Sequence, residues 1–165
     1  SEQAAFQARK YTRDEEVILA ALMHDIGHVV GMHAGESVEG MGGCGIPRHE
    51  HVGADFLLMC GFSDRIVRLV RSHVSAKRYL VWKDPNYKLS EASRVTLGYQ
   101  GGPMSNKEAH DYENDPDFEI YLQMRKWDEA AKIPADQIKV PEISNYKKIL
   151  IKHCQKHTSK KIKKN

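Results

Sequence analysis

The chain has 165 residues, 41% of them hydrophobic and 28% charged, with a formal net charge of +3. That is one domain's worth of globular chain, long enough to bury a core, and no apolar run approaches the ~18 residues a membrane span needs, so no membrane partner is expected. Lys156, Lys160, Lys161, Lys163 and Lys164 crowd the C-terminal end and leave a slightly acidic body, which argues against a nucleic-acid partner.

Helical periodicity dominates the chain, and no strand pattern stands out. Glu15 to Val30 reads as one helix with Val17, Leu19, Ala20, Ala21, Leu22 and Met23 on its buried side. Gly31 to Pro47 holds six glycines and reads as a loop. Arg48 to Cys60 forms the next helix, with Gly61 as its stop. Ser63 caps a third, carrying Ile66, Val67, Leu69 and Val70 as far as Ala76. Asp84-Pro85-Asn86 marks a turn. Ser90 caps a fourth helix that ends near Gly101-Gly102-Pro103, and Ser105 to Glu108 has the pattern of a capping box. Pro116 to Ala131 predicts a long helix with Phe118, Leu122 and Trp127 inward, and Pro141 opens a last one through Tyr146, Ile149 and Leu150. The fold class expected is an all-α bundle over residues 1–156, followed by a basic, disordered tail over 157–165. Cys44, Cys60 and Cys154 are odd in number and make no CxxC pair. They predict no disulfide framework and a reducing, cytoplasmic setting.

The chemistry concentrates in histidine and aspartate. His24 and Asp25 lie at the end of an apolar helix, where a buried carboxylate beside a buried imidazole is costly without a cation. His28 follows His24 by four residues and shares its face. His49 opens the next helix, His73 lies near the end of the third, and Asp128 near the end of the long one. Metal sites in helical bundles draw ligands from facing helices in this way. Lys77, four residues after His73, and Arg125, three before Asp128, share faces with those ligands and can reach an anion. His51 points roughly 200° around its helix from His49 and is expected at the surface or behind the site. His33 is a candidate for the site mouth. His110, His153 and His157 are expected at the surface, and Cys44 as an ordinary loop residue. A metal-dependent phosphohydrolase of a nucleotide or phosphate ester, an oxygenase, and a non-catalytic metal or ligand binder all fit these residues.

His24-Asp25 with His49 and Asp128 resembles the HD superfamily of α-helical metalloproteins, and the added His73 resembles its two-metal branch. The stretches His49-Glu50-His51-Val52-Gly53-Ala54, His73-Val74-Ser75-Ala76-Lys77-Arg78-Tyr79-Leu80, Ser90-Glu91-Ala92-Ser93-Arg94-Val95-Thr96-Leu97 through Gln100-Gly101-Gly102-Pro103-Met104-Ser105, and Arg125-Lys126-Trp127-Asp128 are similar to the mixed-valent di-iron oxygenases that cleave organophosphonates, cousins of myo-inositol oxygenase. The similarity runs from about Gln3 to Lys132. It implies His24, Asp25, His49, His73 and Asp128 as metal ligands, with Asp25 bridging two iron ions, Fe(II)/Fe(III), and O2 as co-substrate. It implies His28 and Lys77 as catalytic, and His28, Lys77, Ser93, Arg125 and Gln100 as contacts to a small anionic phosphonate. The family pattern has one further histidine ligand, which falls immediately before Ser1. The N-terminus is therefore expected to be incomplete.

Overall fold

The computed structural model describes the backbone of residues 1–35, 41–134 and 137–162. It is all-α, with no strand among the described residues. The helices, in chain order, are α1 (Glu2–Tyr11), α2 (Glu15–Met23), α3 (Ile26–His33), α4 (His49–Met59), α5 (Asp64–Arg71), α6 (His73–Lys83), α7 (Glu91–Tyr99), α8 (Asn106–Glu113) and α9 (Phe118–Ala130). A 3-10 turn (Ile143–Tyr146) then leads into α10 (Lys147–Ile162).

The axis of the molecule is α2. Asp14 caps it, its Oδ1 accepting from Glu16 N at 3.0 Å and Val17 N at 3.4 Å. Every residue from Val17 to Leu22 is buried. A helix apolar on all sides needs partners on all sides, and α1, α5 and α9 pack around this one. The contribution of α1 was not legible in the sequence, because its buried face is Ala4, Ala5 and Ala8. Alanines admit close helix approach but carry little hydrophobic signal.

The caps expected at Ser63, Ser90 and Ser105 are present, the last as a full capping box with Glu108. Two of the expected helices are each split. The one predicted over 15–30 breaks at His24-Asp25, where Asp25 takes φ −101° and ψ 9°. His24 Nδ1 donates to Ala21 O at 2.9 Å, satisfying a carbonyl of the last turn of α2. The third breaks at Ser72 (φ −81°, ψ −2°), and α6 then runs on to Lys83 instead of ending near Ala76. Both breaks put a ligand candidate at a helix end. The last helix opens through its 3-10 turn, and the backbone of α10 continues through Ile162, into the stretch expected as a disordered tail. Among the described residues no helix is long and apolar enough to cross a membrane.

The contact that sets the site is between α3 and α4, where backbone touches backbone. A Cβ on Gly27 would lie 1.8 Å from His49 O and 2.8 Å from Gly53 N, and one on Gly53 would lie 2.9 Å from Gly27 N. Only glycine at both positions lets α4 bring His49 against the His24-Asp25 break. Gly27→Ala is therefore expected to destabilise the protein by about 3 kcal/mol or more, at the upper end of overpacking costs, and to lower metal content by displacing His49. Urea unfolding with parallel metal analysis of the variant checks both effects.

Candidate metal centre and its pocket

The expected ligands meet around Asp25. Its Oδ2 lies 3.0 Å from His24 Nε2, and its Oδ1 lies 3.9 Å from His73 Nε2 and 4.0 Å from His49 Nε2. His24 Nε2 also lies 3.5 Å from Asp128 Oδ1. These groups come from the α2–α3 break, the first residues of α4 and α6, and the last turn of α9. Two sets of closely spaced ligand atoms result, His24–Asp25–His73 and Asp25–His28–His49. Asp25 belongs to both. His28, expected to face substrate, falls in the second set by distance, although its Nδ1 is already taken by Ile46 N.

Electrostatics explains why the cluster suits a metal. Burial holds His73 well below the ordinary histidine range and His49 at about 4, so both rings are neutral near pH 7 with lone pairs to offer. For His24, burial opposes the charge, but Asp25 and Asp128 outweigh it and raise the ring to about 10. For Asp25, burial opposes ionisation, but His24, His73 and His49 hold the carboxyl far below the usual carboxylate range. Asp128 is likewise depressed against burial, by His24, His73 and Arg125. Two partly buried carboxylates therefore recruit positive charge at the one point between them. The Nε2 atoms of His24 and His49 are buried there without a hydrogen-bond partner. Imidazole and carboxylate without thiolate suit iron and similar ions, so the residues present fit a metal.

Beside the cluster lies a cavity of about 360 Å³ whose walls include Asp25, His28, His49, His73 and Asp128. Its far wall is cationic. Lys77, on α6, is buried and donates to Thr96 Oγ1 at 2.9 Å and Ser93 O at 3.2 Å. Burial, then Arg125 and Lys132, push its ammonium down to about 8. Arg125 is also buried. Its Nη1 donates to Asp128 Oδ2 at 2.6 Å, and its Nη2 donates to Ser93 Oγ at 3.1 Å and also pairs with Glu129. The guanidinium fork expected to stand open to an anion is thus spent mainly on holding Asp128 and Glu129. Gln100 lines the cavity with its Oε1 buried and unpartnered.

His28 is held from the glycine loop. Its Nδ1 accepts from Ile46 N at 3.1 Å, and its ring stacks on His49 with centroids 3.9 Å apart. A neutral His28 therefore carries its proton on Nε2. Gly45 makes this fit possible, since a Cβ there would lie 2.5 Å from His28 Cε1.

The sequence reading missed Lys132. Its Nζ lies 3.2 Å from Ser93 Oγ and 3.1 Å from Ser90 Oγ, on the same cavity wall. The available signal was its spacing, four residues after Asp128. His51 is half-buried behind the site and His33 exposed at the end of α3, while Cys44 lines the cavity. His110 is exposed as expected. His153 is not at the surface. It is buried, its Nε2 accepts from Ser63 N at 3.1 Å, and it pins α10 to the start of α5. His157 stacks on it at 4.3 Å.

The chain matches the HD domain family model over residues 1–150. It is 39% identical over 158 residues to an uncharacterised protein of Acanthamoeba polyphaga mimivirus, covering 94% of this chain and 70% of that one. It is 39% identical over 135 residues to the [1-hydroxy-2-(trimethylamino)ethyl]phosphonate dioxygenase (glycine-betaine-forming) of Leisingera caerulea, covering 79% of this chain and 65% of that one. It is 33% identical over 158 residues to the hydroxymethylphosphonate dioxygenase of Gimesia maris, covering 94% of this chain and 76% of that one.

Because Asp25 is common to both ligand sets, Asp25→Ala is expected to lose most bound metal at both positions. Metal analysis of the purified variant beside the unmodified protein decides it, and full metal content in the variant would exclude a shared carboxylate.

Proposed function

Since this chain belongs to the HD-domain phosphonate oxygenase family, we propose that it uses O2 to cleave the C–P bond of a small 1-hydroxy-organophosphonate and releases phosphate. The observation that carries the reading is the joining of two chemistries in one cavity. The ligand sets that share Asp25 open onto the same space as Lys77, Arg125 and Lys132. A metal cluster beside a cationic wall suits a dianionic substrate that also bears a coordinating hydroxyl. In the balanced reaction, R–CH(OH)–PO₃²⁻ and O2 give a carboxylic acid and phosphate. The C–P bond breaks, the carbon is oxidised, and O2 is the oxidant. The Leisingera relative is named as glycine-betaine-forming, which supports a carboxylate product.

Two iron ions held by His24, Asp25, His49, His73 and Asp128 supply the oxygen chemistry when bound. The chain's own groups bind and orient. Lys77 uses two of its three N–H donors on Ser93 and Thr96 and has one left for a phosphonate oxygen. Lys132 and the Ser93 hydroxyl flank the same anion position. Arg125 fixes Asp128 and Ser93 and adds its charge to the wall. His28 holds its proton on Nε2, where it donates to a substrate oxygen. Gln100 Oε1 accepts from a substrate hydroxyl, which relieves its unpartnered burial. Cys44, Cys60 and Cys154 form no disulfide, which supports a reducing, cytoplasmic setting.

Incubation of the iron-loaded protein with a panel of 1-hydroxyphosphonates, with and without air, is expected to release phosphate only in air and only with iron. Phosphate released without oxygen from nucleotides or phosphate esters, with zinc or manganese, would establish the phosphohydrolase instead. Lys77→Met is expected to leave metal content intact and to weaken phosphonate binding roughly tenfold to a hundredfold, the value of a charge-assisted contact at ~1.5–3 kcal/mol. Arg125→Lys is expected to lower both turnover and metal content, because a point charge cannot hold Asp128 and Ser93 together. Substrate titration with parallel metal analysis separates the two variants.

A further inference from the structure

Three of the buried polar atoms without a hydrogen-bond partner stand together at the start of α4: Nδ1 and Nε2 of His49, and Oε2 of Glu50. Nε2 faces Asp25. On the other side of the same ring, Nδ1 lies 3.7 Å from Glu50 Oε2. We propose that Glu50 is the positioning residue of this centre, accepting a hydrogen bond from Nδ1–H of His49 and thereby presenting the Nε2 lone pair to the metal. The proposal rests on the metal-centre part of the function proposed above and does not require the oxygenase reaction.

The argument is one of proton placement. A neutral imidazole carries one proton on one of its two nitrogens, and only the other can ligate. For His24 the backbone decides which nitrogen faces the site: Nδ1 lies 2.9 Å from Ala21 O, a group that can only accept, so Nδ1 keeps its proton and Nε2 is the nitrogen turned to Asp25. For His28 the backbone decides the other way, because Ile46 N–H donates to Nδ1. His49 has no backbone partner on either nitrogen, and Glu50 is the acceptor beside its Nδ1. Leaving Glu50 Oε2 buried and unpaired would cost more than leaving a neutral acceptor so, and the His49 N–H is the donor nearest to hand. The present gap of 3.7 Å is longer than a hydrogen bond, and a rotation of the His49 ring would be needed to close it. A carboxylate behind a metal-bound histidine fixes the ring's orientation and raises its basicity.

The local fold supports the carboxylate. Glu50 lies in the first turn of α4, where the helix dipole favours negative charge and no side chain caps the helix. Its other oxygen, Oε1, faces His51 Nε2 at 3.7 Å from the outer side. His51 is therefore the control position: it touches Glu50 and not the ligands.

Two measurements test the proposal. In metal-free unmodified protein labelled with ¹⁵N-histidine, the His49 shifts are expected to report the proton on Nδ1, and a proton on Nε2 overturns the proposal without any variant. Anaerobic Fe(II) titration against a competing chelator is then made on the unmodified protein, Glu50→Leu, Glu50→Gln and His51→Ala, with thermal melts alongside. Glu50→Leu is expected to bind iron about 10- to 100-fold more weakly, the usual effect of removing such a partner. Glu50→Gln, whose amide oxygen still accepts, is expected to recover most of that loss, and His51→Ala to bind as the unmodified protein does. Unchanged iron affinity in Glu50→Leu, or Glu50→Gln as weak as Glu50→Leu, overturns the proposal. Failure of the unmodified protein to bind iron overturns the metal centre instead, and the tautomer measurement still decides Glu50.

Discussion

The structure turns on one electrostatic constraint: two partly buried carboxylates, Asp25 and Asp128, stand beside a single buried histidine nitrogen. Burial alone would raise both carboxyl pKa values and neutralise them. Instead the surrounding imidazoles hold them ionised, and His24 becomes the most readily protonated ring of the cluster. A proton on His24 is the smallest cation that can satisfy the arrangement. A metal would satisfy it better, because it would also take up a lone pair of His49, whose ring nitrogens have no hydrogen-bond partner where they stand.

The fold's departures from regular helix serve that constraint. An unbroken helix from Glu15 onward would send Asp25 along the direction set by α2. The break instead makes Asp25 the first residue before α3, free to face two directions. The break at Ser72 likewise makes His73 the first residue of α6. The glycine pair Gly27 and Gly53 lets α4 approach closely enough for His49 to reach the same point. Each device costs helix hydrogen bonds or side-chain contacts, and each is offset by the apolar packing around α2, whose residues Val17 to Leu22 are all buried.

Charge is segregated across the cavity. The acidic atoms lie on the α2–α3 break and the end of α9, and the basic ones on α6, on α9 and just beyond it. Arg125 joins the two sides: it neutralises part of Asp128 while its second nitrogen holds Ser93 on α7. Lys77 and Lys132 converge on the same serine from different elements. The cationic wall is thus built by mutual hydrogen bonding through Ser93, which fixes three flexible or repelling cations at the edge of the cluster.

The sequence by itself determined whatever depends on neighbours within a turn or two. Helix caps at Ser63, Ser90 and Ser105, the apolar run of α2, the placing of Lys77 on the face of His73 and of Arg125 on the face of Asp128 all follow from spacings of three and four. The candidate ligands were legible because histidine and aspartate at the end of an apolar helix are costly without a cation, and because their motifs carry a family resemblance. The tertiary structure decided what depends on residues distant in the chain. It set the two helix breaks, the sharing of Asp25 between two ligand sets, the spending of Arg125 on Asp128 and Glu129, and the burial of His153 against Ser63. It also brought Lys132 to Ser93, 39 residues away in sequence. Periodicity reports which face of a helix is buried; it carries no information on what that face meets. Proton placement, charge pairing and the sharing of one carboxylate are properties of the meeting.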